Sequence, residues 1–425
     1  MTLATPSPPG AVGWIVRTLE AEGFETWAVG GAIRDVLVGL PGSDWDLTTR
    51  ARPGDVRRIF RRTVPVGVEH GTVGVLARDG TMYDVTTFRK DVATDGRHAV
   101  VAFSDTLAED LARRDFTINA IAWHPMSGEF VDPFGGRTDL EEGVLRTVGE
   151  PGDRFREDYL RILRALRFAG RFSLKVEQET WRALGAGVDH LGSLSAERVR
   201  EELLKVLEAD AKPSVALGLY AASGALRVLY PELSALDPDE WTRTLDVVDA
   251  LPRGRPLLRL AALLRPLSRE GVVALLVRLR LSNVQTDRVA LWASSAPRPA
   301  AREGAAAVRG WTRTVGRENV AALSRIEMAE SRVRGSRGDT EAVAAMIDKW
   351  RFTRSVLSED PPLTVGSLAF SGRDLVAMGE RPGPHFGRVL ERLLDWVVED
   401  PARNRGELLA ARAVEVLEVE RRRDD

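Results

Sequence analysis

The sequence TWAVGGAIRD occupies residues 26–35, where a short apolar run leads into two glycines and then into a helical pattern. Gly30 and Gly31 permit a tight turn and the close approach of a phosphate group. The N-terminus of the following helix offers free N–H groups and the positive end of a dipole, and Arg34, one turn further, is suited to clamping a triphosphate. The spacing matches neither G-x-G-x-x-G nor G-x-x-x-x-G-K-[ST], which disfavours dinucleotide-binding and P-loop proteins. A bare pair of glycines is more often a simple turn.

Shortly after this turn comes the sequence SDWDL at residues 43–47, which carries two acids two positions apart. In an extended strand Asp44 and Asp46 point to the same face, about 6–7 Å apart, and repel each other unless a cation lies between them. Their oxygens are hard ligands that suit Mg²⁺. Asp84, inside the strand-like sequence TMYDVTTFR, supplies a third acid. Three carboxylates on neighbouring strands can hold two Mg²⁺ for in-line phosphoryl transfer, although an Asp-x-Asp pair alone is also common in turns and caps.

Residues 157–168 read EDYLRILRALRF and predict an amphipathic helix. Its leucines fall on one side, whereas Asp158, Arg161 and Arg164 share the opposite side. An Asp accepts hydrogen bonds and an Arg donates them, so one Asp158–Arg161 pair can read the amino group and ring nitrogen that cytosine and adenine both present. Guanine and uracil present a carbonyl beside an N–H, which is the reverse order of donor and acceptor. Their binding would leave buried polar groups of the protein unpaired, and this cost is the stronger reason for their exclusion. The alternative is a solvated helix face with i,i+3 ion pairs.

The order of patterns along the chain predicts an α/β part followed by an all-helical part. Between about residues 12 and 150, short β-rich runs alternate with helices and turns. These runs are residues 26–29, 74–76, 82–87 and 118–123. From about residue 153 onward the patterns are mainly helical, as at residues 387–398. Residues 298–338, which are rich in Ala, Arg and Gly, are the part of the chain whose sequence gives the least information about structure or function.

The composition of the 425-residue chain excludes several classes of protein. Without cysteine there is no disulfide, thiol nucleophile or thiolate metal site, which fits a cytoplasmic protein. Residues 1–10 lack the basic segment and apolar core of a signal peptide, and no run of about 18 apolar residues predicts a membrane span. The formal net charge of −2 does not indicate a nucleic-acid binder. Local arginine clusters at residues 57–62 and 161–171 are compatible with RNA binding, and equally with solvated helix faces.

A series of motifs follows in a fixed order along the chain. The main ones are GGAIRD, DWD, DVTTFR, RRDFTINA, VDPFGG and EDYLRILRALRF, at residues 30–35, 44–46, 84–89, 113–120, 131–136 and 157–168, with weaker matches at residues 195–199, 371–375 and 382–384. In their residues, order and spacing they resemble the family of class II CCA-adding tRNA nucleotidyltransferases and bacterial poly(A) polymerases. Any one motif is weak, whereas the ordered set is very specific across roughly the first 235 residues.

The resemblance implies a role for each matching side chain. Asp44 and Asp46 would bind the metal, with Asp84 as the third catalytic carboxylate, where relatives often have Glu. The other positions would bind the nucleotide. Its phosphates would be bound by Gly30, Gly31 and Arg34, and its ribose would be bound by Arg114, Asp115 and Asn119, which would favour NTP over dNTP. Its base would be read by Asp158 and Arg161, with support from Arg164 and Arg167.

The same resemblance implies the architecture and the reactants. Residues 1–150 would form a mixed-sheet nucleotidyltransferase head, residues 151–235 a helical neck that recognises the base, and residues 236–425 helical body and tail domains. The cofactor would be Mg²⁺ and the substrates CTP and ATP. The partner would be a tRNA, bound at its 3′ end and its acceptor and T arms through phosphates and shape. No histidine–aspartate phosphohydrolase domain is implied, because its metal-binding dipeptide is missing.

Four activities occur within this family: CCA addition, CC-only addition, A-only addition and poly(A) synthesis. CC-adding members tend to lack part of the flexible loop after the third carboxylate. Here residues 89–115 are of nearly full length, although they depart from the family at residues 98–100, where Pro is common. A-only enzymes keep this loop and stay an alternative, whereas poly(A) polymerases usually have longer, more basic termini and rank lower. A non-catalytic RNA-binding protein with this fold is a further alternative, which the three acids disfavour.

Overall fold

The computed structural model describes residues 3–41, 45–94, 99–209 and 211–424. The chain divides into two units, the first formed by residues 1–236 with 278–280, and the second by residues 237–277 with 281–425. All strands that the described residues form belong to the first unit, and the second unit is helical. The finer division into head, neck, body and tail stays a prediction.

The first unit begins with a mixed α/β segment and continues as helices. Its strands are β1 (Thr26–Val29), β2 (Asp46–Thr49), β3 (Thr63–Gly67), β4 (Thr72–Leu76), β5 (Met82–Thr87), β6 (Arg89–Thr94), β7 (Ala99–Phe103), β8 (Ala122–Trp123), β9 (Phe130–Val131), β10 (Val144–Leu145) and β11 (Lys175–Val176). Its helices are α1 (Gly10–Ala21), α2 (Gly31–Leu37), α3 (Pro53–Ile59), α4 (Leu107–Ala112), α5 (Gly136–Glu142), α6 (Pro151–Glu157), α7 (Leu160–Phe172), α8 (Gln178–Gly187), α9 (Ala196–Ala209), α10 (Pro213–Ser223), α11 (Ala225–Leu229) and α12 (Pro231–Ser234). The predicted order, an α/β head followed by helices, is confirmed.

Seven of the strands form one sheet in the order β3-β4-β5-β2-β1-β8-β9. Strand β2 runs parallel to β5, and the other neighbours are antiparallel, so the sheet is mixed. Strand β1 lies between β2 and β8, and all four of its residues are buried. Val29, at the end of β1, lies opposite Asp46, at the start of β2. The glycine turn after β1 and the acid of β2 therefore meet at one edge of the sheet.

The segment around residue 118 folds differently from its sequence pattern. The pattern predicts one β-rich run over residues 118–123, but Thr117–Asn119 form a 3₁₀ turn and β8 covers Ala122–Trp123. Buried side-chain hydrogen bonds hold this turn, since Thr117 Oγ1 donates to Asp139 at 2.6 Å and Asn119 Nδ2 donates to Asp115 at 2.9 Å.

The segment after β5 also departs from the expected loop. Within residues 89–115, the described part forms an antiparallel ribbon of β6 and β7, followed by helix α4. Its strands pair Arg89 with Phe103 and Lys90 with Ala102, so the backbone groups of the segment bond to each other. Residues 95–98, which include His98, lie outside the described residues.

Helix α7 begins at Leu160, three residues later than the sequence predicts. Asp158 has an extended backbone, with φ −158° and ψ 106°, and separates α6 from α7. Its Oδ1 accepts a hydrogen bond from the backbone N of Leu160 at 3.0 Å, a local bond of the kind that competes with helix continuation. Asp158 is therefore not on a helical face with Arg161 and Arg164; it precedes Tyr159, the N-cap residue of the helix that carries them.

The second unit consists of helices joined by short turns. They are α13 (Pro238–Ala250), α14 (Pro256–Leu264), α15 (Arg269–Arg278), α16 (Asn283–Ser294), α17 (Gly304–Val315), α18 (Val320–Ser336), α19 (Ala342–Ser358), α20 (Gly372–Ala377), α21 (His385–Glu399) and α22 (Gly406–Asp424). Leu375, Leu393 and Leu409 are fully buried in the core of its last three helices. Within the described ranges, every helix is too short or too polar to cross a membrane.

Candidate active site

A cavity of about 550 Å³ in the first unit is lined by residues of the sheet and of helices α7 and α9. Every predicted site residue in the described part of the chain lines it: Gly30, Gly31, Arg34, Asp46, Asp84, Arg114, Asp115, Asn119, Asp158, Arg161, Arg164 and Arg167. Asp44 lies outside the described residues. Residues more than 100 positions apart in the sequence thus share one cavity.

Two of the predicted catalytic acids lie side by side in the sheet. Leu47 of β2 is in register with Val85 of the parallel strand β5, so Asp46 and Asp84, one residue earlier on each strand, are neighbours on the same face. Adjacent strands are about 4.8 Å apart. At this separation two ionised carboxylates repel each other unless a cation lies between them.

The surroundings of Asp84 fit a hard cation. Its Oδ1 is buried and has no hydrogen-bond partner among the described residues, and a buried carboxylate oxygen without a donor is costly. Mg²⁺ prefers carboxylate oxygens as ligands, so this oxygen and those of Asp46 suit it. In the described ranges no group of three or more His, Cys, Asp or Glu is arranged to hold a metal. The third acid of the predicted set, Asp44, is outside those ranges.

The glycine turn gives these acids space. Gly30 has a φ of +78°, which favours glycine. A Cβ added there would lie 3.0 Å from Nη1 of Arg114 and 3.7 Å from Oδ2 of Asp46. The turn therefore requires glycine for its backbone, and a side chain there would also crowd Arg114, whereas Asp46 lies at ordinary contact distance.

Asp110 is a site residue that the sequence analysis missed. It is buried, and its Oδ2 accepts from Nη2 of Arg114 at 3.2 Å and from Oγ1 of Thr48 at 3.3 Å. Its Oδ1 accepts from the backbone N of Arg89 at 3.2 Å. An acid four residues before an arginine is a usable helical signal, but it does not distinguish this buried pair from a surface ion pair.

A buried hydrogen-bond network joins the glycine turn to helix α7. Arg34 donates to Asp35, at 2.6 Å and 2.9 Å, and to Oδ1 of Asn119 at 2.5 Å. Asn119 donates to Oδ1 of Asp115, whose Oδ2 accepts from Nε of Arg164 at 2.7 Å. Burial alone raises the pKa of Asp115, but the charge and hydrogen bond of Arg164 and the hydrogen bond from Asn119 outweigh it and lower this pKa to about 2. Asp115 is therefore an anion at neutral pH.

Helix α7 holds the other end of the same network. Nη2 of Arg171 lies 2.9 Å from Oδ2 of Asp35, so Arg164 and Arg171 bind the network two turns apart on one helix face. The guanidinium of Arg34 lies 4.7 Å from the ring centres of Phe168 and Phe172. Burial lowers the pKa of Arg34, and Asp35 opposes that shift. The network fixes the position of α7 against the glycine turn.

Between these two arginines, Arg167 pairs with an acid of helix α9. Its Nε lies 2.6 Å from Oε2 of Glu202, and both residues are buried. Nζ of Lys205 lies 3.1 Å from Oε1 of the same carboxylate and also lines the cavity. Lys205 is a second cavity residue that the sequence analysis missed, because its role depends on how α9 packs on α7.

Asp158 and Arg161 line the cavity with different partners, whereas the sequence predicts that they act as a pair. Oδ2 of Asp158 accepts from Nη2 of Arg198 at 2.6 Å. Arg161 pairs with Glu157 and donates to the backbone O of Arg154 at 3.1 Å. Arg198 lies in a matching motif but received no role from the sequence, because pairing between distant helices cannot be read from spacing. Glu157 received none either, although it stands four residues before Arg161, a spacing that indicates an ion pair.

Comparison with known proteins assigns the chain to a family. A model of the poly A polymerase head domain matches residues 26–146, and one described as a probable RNA and SrmB-binding site of polymerase A matches residues 173–236. The CCA-adding enzyme of Levilactobacillus brevis is 31% identical over 415 residues, which cover 93% of this chain and 95% of that enzyme. The chain belongs to the CCA-adding enzyme family.

Other members of the family match in part or in fold. The CCA-adding enzyme of Geobacillus thermodenitrificans is 43% identical over 231 residues, so the aligned part of the chain spans 56% of that enzyme, about half its length. The solved CCA-adding enzyme of Bacillus stearothermophilus in complex with CTP has a TM-score of 0.73 and 30% identity, and 99% of each chain is covered. The Thermotoga maritima CCA-adding enzyme complexed with tRNA, at 23% identity and a TM-score of 0.58, shares the fold.

Proposed function

We propose that this protein adds C, C and A in turn to the 3′ end of tRNA, using CTP and ATP and no nucleic-acid template. Family membership supports the proposal, as does the likeness to an enzyme solved in complex with CTP. The observation that carries it is the composition of one cavity. Asp46 and Asp84, suited to metal-assisted transfer, line the same cavity as Asp158 and Arg161, suited to reading C and A.

The proposed cofactor is Mg²⁺, held by Asp46 and Asp84 together with Asp44. When bound, the ion would neutralise charge on the triphosphate and lower the pKa of the attacking hydroxyl. The 3′-hydroxyl of the RNA would lose its proton to solvent as its oxygen forms a bond to the α-phosphorus. The bond from the α-phosphorus to the oxygen that bridges to the β-phosphate would break, releasing pyrophosphate. The space beside Gly30 leaves room for the phosphates near these acids.

We assign Arg34 a positioning role. Its Nε, Nη1 and Nη2 already donate to Asp35 and Asn119, and its side chain is buried. Arg34, which the resemblance assigns to the phosphates, would therefore act through Asn119. Direct contact with the ribose would be made by Arg114, Asp115 and Asn119. A 2′-hydroxyl can both donate and accept, which suits a site with one cation, one anion and one amide and favours NTP over dNTP.

Choice of the base would rest mainly on Asp158. Each of its oxygens already accepts one hydrogen bond, from the Leu160 backbone or from Arg198, and an ionised carboxylate can accept about four. The remaining capacity suits the amino group that cytosine and adenine share. Arg161 would donate to the neighbouring ring nitrogen, with Arg164 and Arg167 supporting helix α7 through Asp115 and Glu202.

The proposed partner is tRNA, bound at its 3′ end and its acceptor and T arms, with the helices of residues 236–425 contacting its phosphates. A tRNA substrate also implies a cytoplasmic place of action. In that assignment the first unit performs the chemistry and the second holds the RNA.

One assay tests this function against its alternatives. Purified protein is given Mg²⁺ and tRNA that lacks its CCA end, carries the first C, or carries both, each with CTP, ATP or the two together. The proposal predicts a complete CCA end on all three tRNAs when both nucleotides are present. Addition to the CC-ended tRNA alone would indicate an A-adding enzyme, and a long A tail a poly(A) polymerase. Binding without incorporation would indicate an RNA-binding protein.

A further inference from the structure

A groove in the second unit has no role in the proposed chemistry. It lies where helices α18 and α19 meet the end of α13, and its volume is about 690 Å³. Its apolar lining consists of Ala250, Leu251, Pro252, Ala321, Met328, Ala329 and Ile347. Ser324, Trp350, Arg325, Arg332 and Arg351 complete the lining of this cavity, the Trp350 groove.

Trp350 is unusually open for its type. Its exposed fraction is 41%, whereas tryptophan is highly buried on average. The guanidinium of Arg354, one turn further along α19, lies 5.4 Å from its ring centre. The indole thus offers a flat apolar surface to solvent beside a cation, which is the arrangement on which nucleobases stack.

The arginines of the groove form no strong ion pair with an acid among the described residues. Arg325 and Arg332 are seven residues apart on α18, so they lie on one helix face about 10 Å apart along the axis. Arg325 donates to a backbone oxygen of its own helix, Ala321 O, at 3.2 Å. Among the described residues Arg332 has no acidic partner. Arg351 lies 3.6 Å from Asp348, but both side chains are more than 70% exposed, so that pair is weak.

We propose that the Trp350 groove binds the tRNA substrate, with an accessible nucleobase stacked on Trp350 and the flanking phosphates bound by Arg325, Arg332 and Arg351. An exposed aromatic ring among cations matches RNA, in which unstacked bases of loops and ends are bound by stacking while phosphates supply the affinity. An apolar peptide would leave the arginines without counter-charges. The identification of the RNA as tRNA rests on the proposed function.

The test measures binding of fluorescently labelled tRNA lacking its CCA end, by anisotropy over a series of salt concentrations. Trp350→Ala should weaken binding about 5- to 150-fold, the range for loss of one stacked base, and Trp350→Phe should restore most of it. The combined change Arg325→Gln, Arg332→Gln and Arg351→Gln should make the slope of log K against log salt about two units shallower. Arg156→Gln, at an exposed arginine of α6 paired with Asp153, lies outside the helices proposed to hold the RNA; it is the matched control and should leave binding unchanged.

Two readouts separate this inference from the proposed function. Affinity for CTP, measured by calorimetry, should be the same in wild type and in every groove variant, because the groove residues are absent from the nucleotide cavity. Unchanged tRNA affinity and salt slope in both Trp350→Ala and the triple arginine variant would overturn the groove assignment, even if the wild type adds CCA. Failure of the wild type to add any nucleotide would instead remove the proposed function, while loss of RNA binding in the variants would still support the groove.

Discussion

At the residue scale, the adjacent acids of β2 and β5 make the clearest prediction. Asp46→Ala or Asp84→Ala should lower incorporation of CMP and AMP at least about 100-fold, because metal-assisted charge stabilisation contributes several kcal/mol. The melting temperature of the metal-free protein should not fall, since each change removes one of two repelling charges. Glu69→Ala, at an exposed acid, is the control. Near-wild-type incorporation by either variant at saturating Mg²⁺ would disprove the metal assignment.

Asp158 makes a second prediction, about nucleotide choice. Loss of one partner of a buried charged hydrogen bond costs about 2–4 kcal/mol, so Asp158→Ala should lower kcat/KM for CTP and ATP about 30- to 1000-fold. The same change should narrow the gap to UTP and GTP, whose carbonyl groups the carboxylate opposes. Asp153→Ala removes the exposed ion pair with Arg156 and should change each value by less than about 1 kcal/mol. A uniform drop for all four nucleotides would mean that Asp158 supports the fold alone.

Asp115 predicts how stability depends on pH. Its folded pKa of about 2 is below the ordinary value of 3.8, so the unfolded state takes up its proton first as pH falls. The carboxylate should contribute about 2 kcal/mol above about pH 5, and this contribution should disappear as pH falls through 3.8 towards 2. Denaturant unfolding of Asp115→Asn and wild type at pH 7, 5, 4, 3 and 2 measures it. A difference that stays constant with pH would show that the ionised form is not what stabilises the fold.

Residue spacing predicted which side chains share the cavity but not what each one contacts. Asp46, Arg114 and Asp158 lie in local motifs whose residue types follow from the chemistry, and all three line the cavity. Arg198 and Asp110 escaped the sequence analysis because their roles come from contacts set by packing. The helical period assigned Arg161 as a neighbour to Asp158, but this period is interrupted where the Asp158 side chain accepts a hydrogen bond from the backbone N of Leu160.

At the scale of elements, the β6–β7 ribbon adjoins the cavity at its base. Arg89, the first residue of β6, lines the cavity and donates to the backbone O of His70 at 2.8 Å, and Lys90 lies 3.6 Å from Glu109 of α4. A deletion within residues 90–99 should spare addition of C and impair addition of the terminal A, because we expect the ribbon to help the site re-form between the two nucleotides. Incorporation on tRNAs ending before and after CC measures both steps.

For a short deletion in the ribbon, the control is one of the same length within residues 124–129, the turn between β8 and β9, which should leave the ratio of A to C addition unchanged. Equal loss of C and A addition in the ribbon variant, with a lower melting temperature, would assign the ribbon a folding role instead.

Elements with strong local patterns were predictable and those made by distant pairing were not. The predicted runs 26–29 and 82–87 coincide with β1 and β5, and the predicted helix 387–398 lies within α21. These segments carry an alternation or a helical period long enough to define them. The ribbon was predicted as a loop because the resemblance implies a loop at residues 89–115. The apolar run AVVAF at residues 99–103, which forms β7, is a local strand signal that this prediction did not use.

At the scale of the whole molecule, the two units should respond differently to nucleotide. All residues that line the nucleotide cavity belong to the first unit, and a ligand stabilises the part of a protein that binds it. CTP with Mg²⁺ at about 100 times its Kd should stabilise the first unit by about 2.7 kcal/mol. Scanning calorimetry should show one unfolding transition whose melting temperature rises with CTP and returns to its original value when the metal is chelated. UTP should have little effect on that temperature. An equal shift with UTP would contradict base recognition in this cavity.

The network that closes on helix α7 also constrains the order of events during synthesis on the ribosome. Asp35 and Arg171 are 136 residues apart in the chain. The ribosome therefore makes the glycine turn and the sheet, with their buried acids, before it makes the arginines of α7 that pair with those acids. Without α7, Asp115 would be a buried charge without its partner, which costs several kcal/mol. We therefore expect the head to become stable only after helix α7 has been made. The nucleotide cavity would then form only when the residues proposed to choose the base are already present.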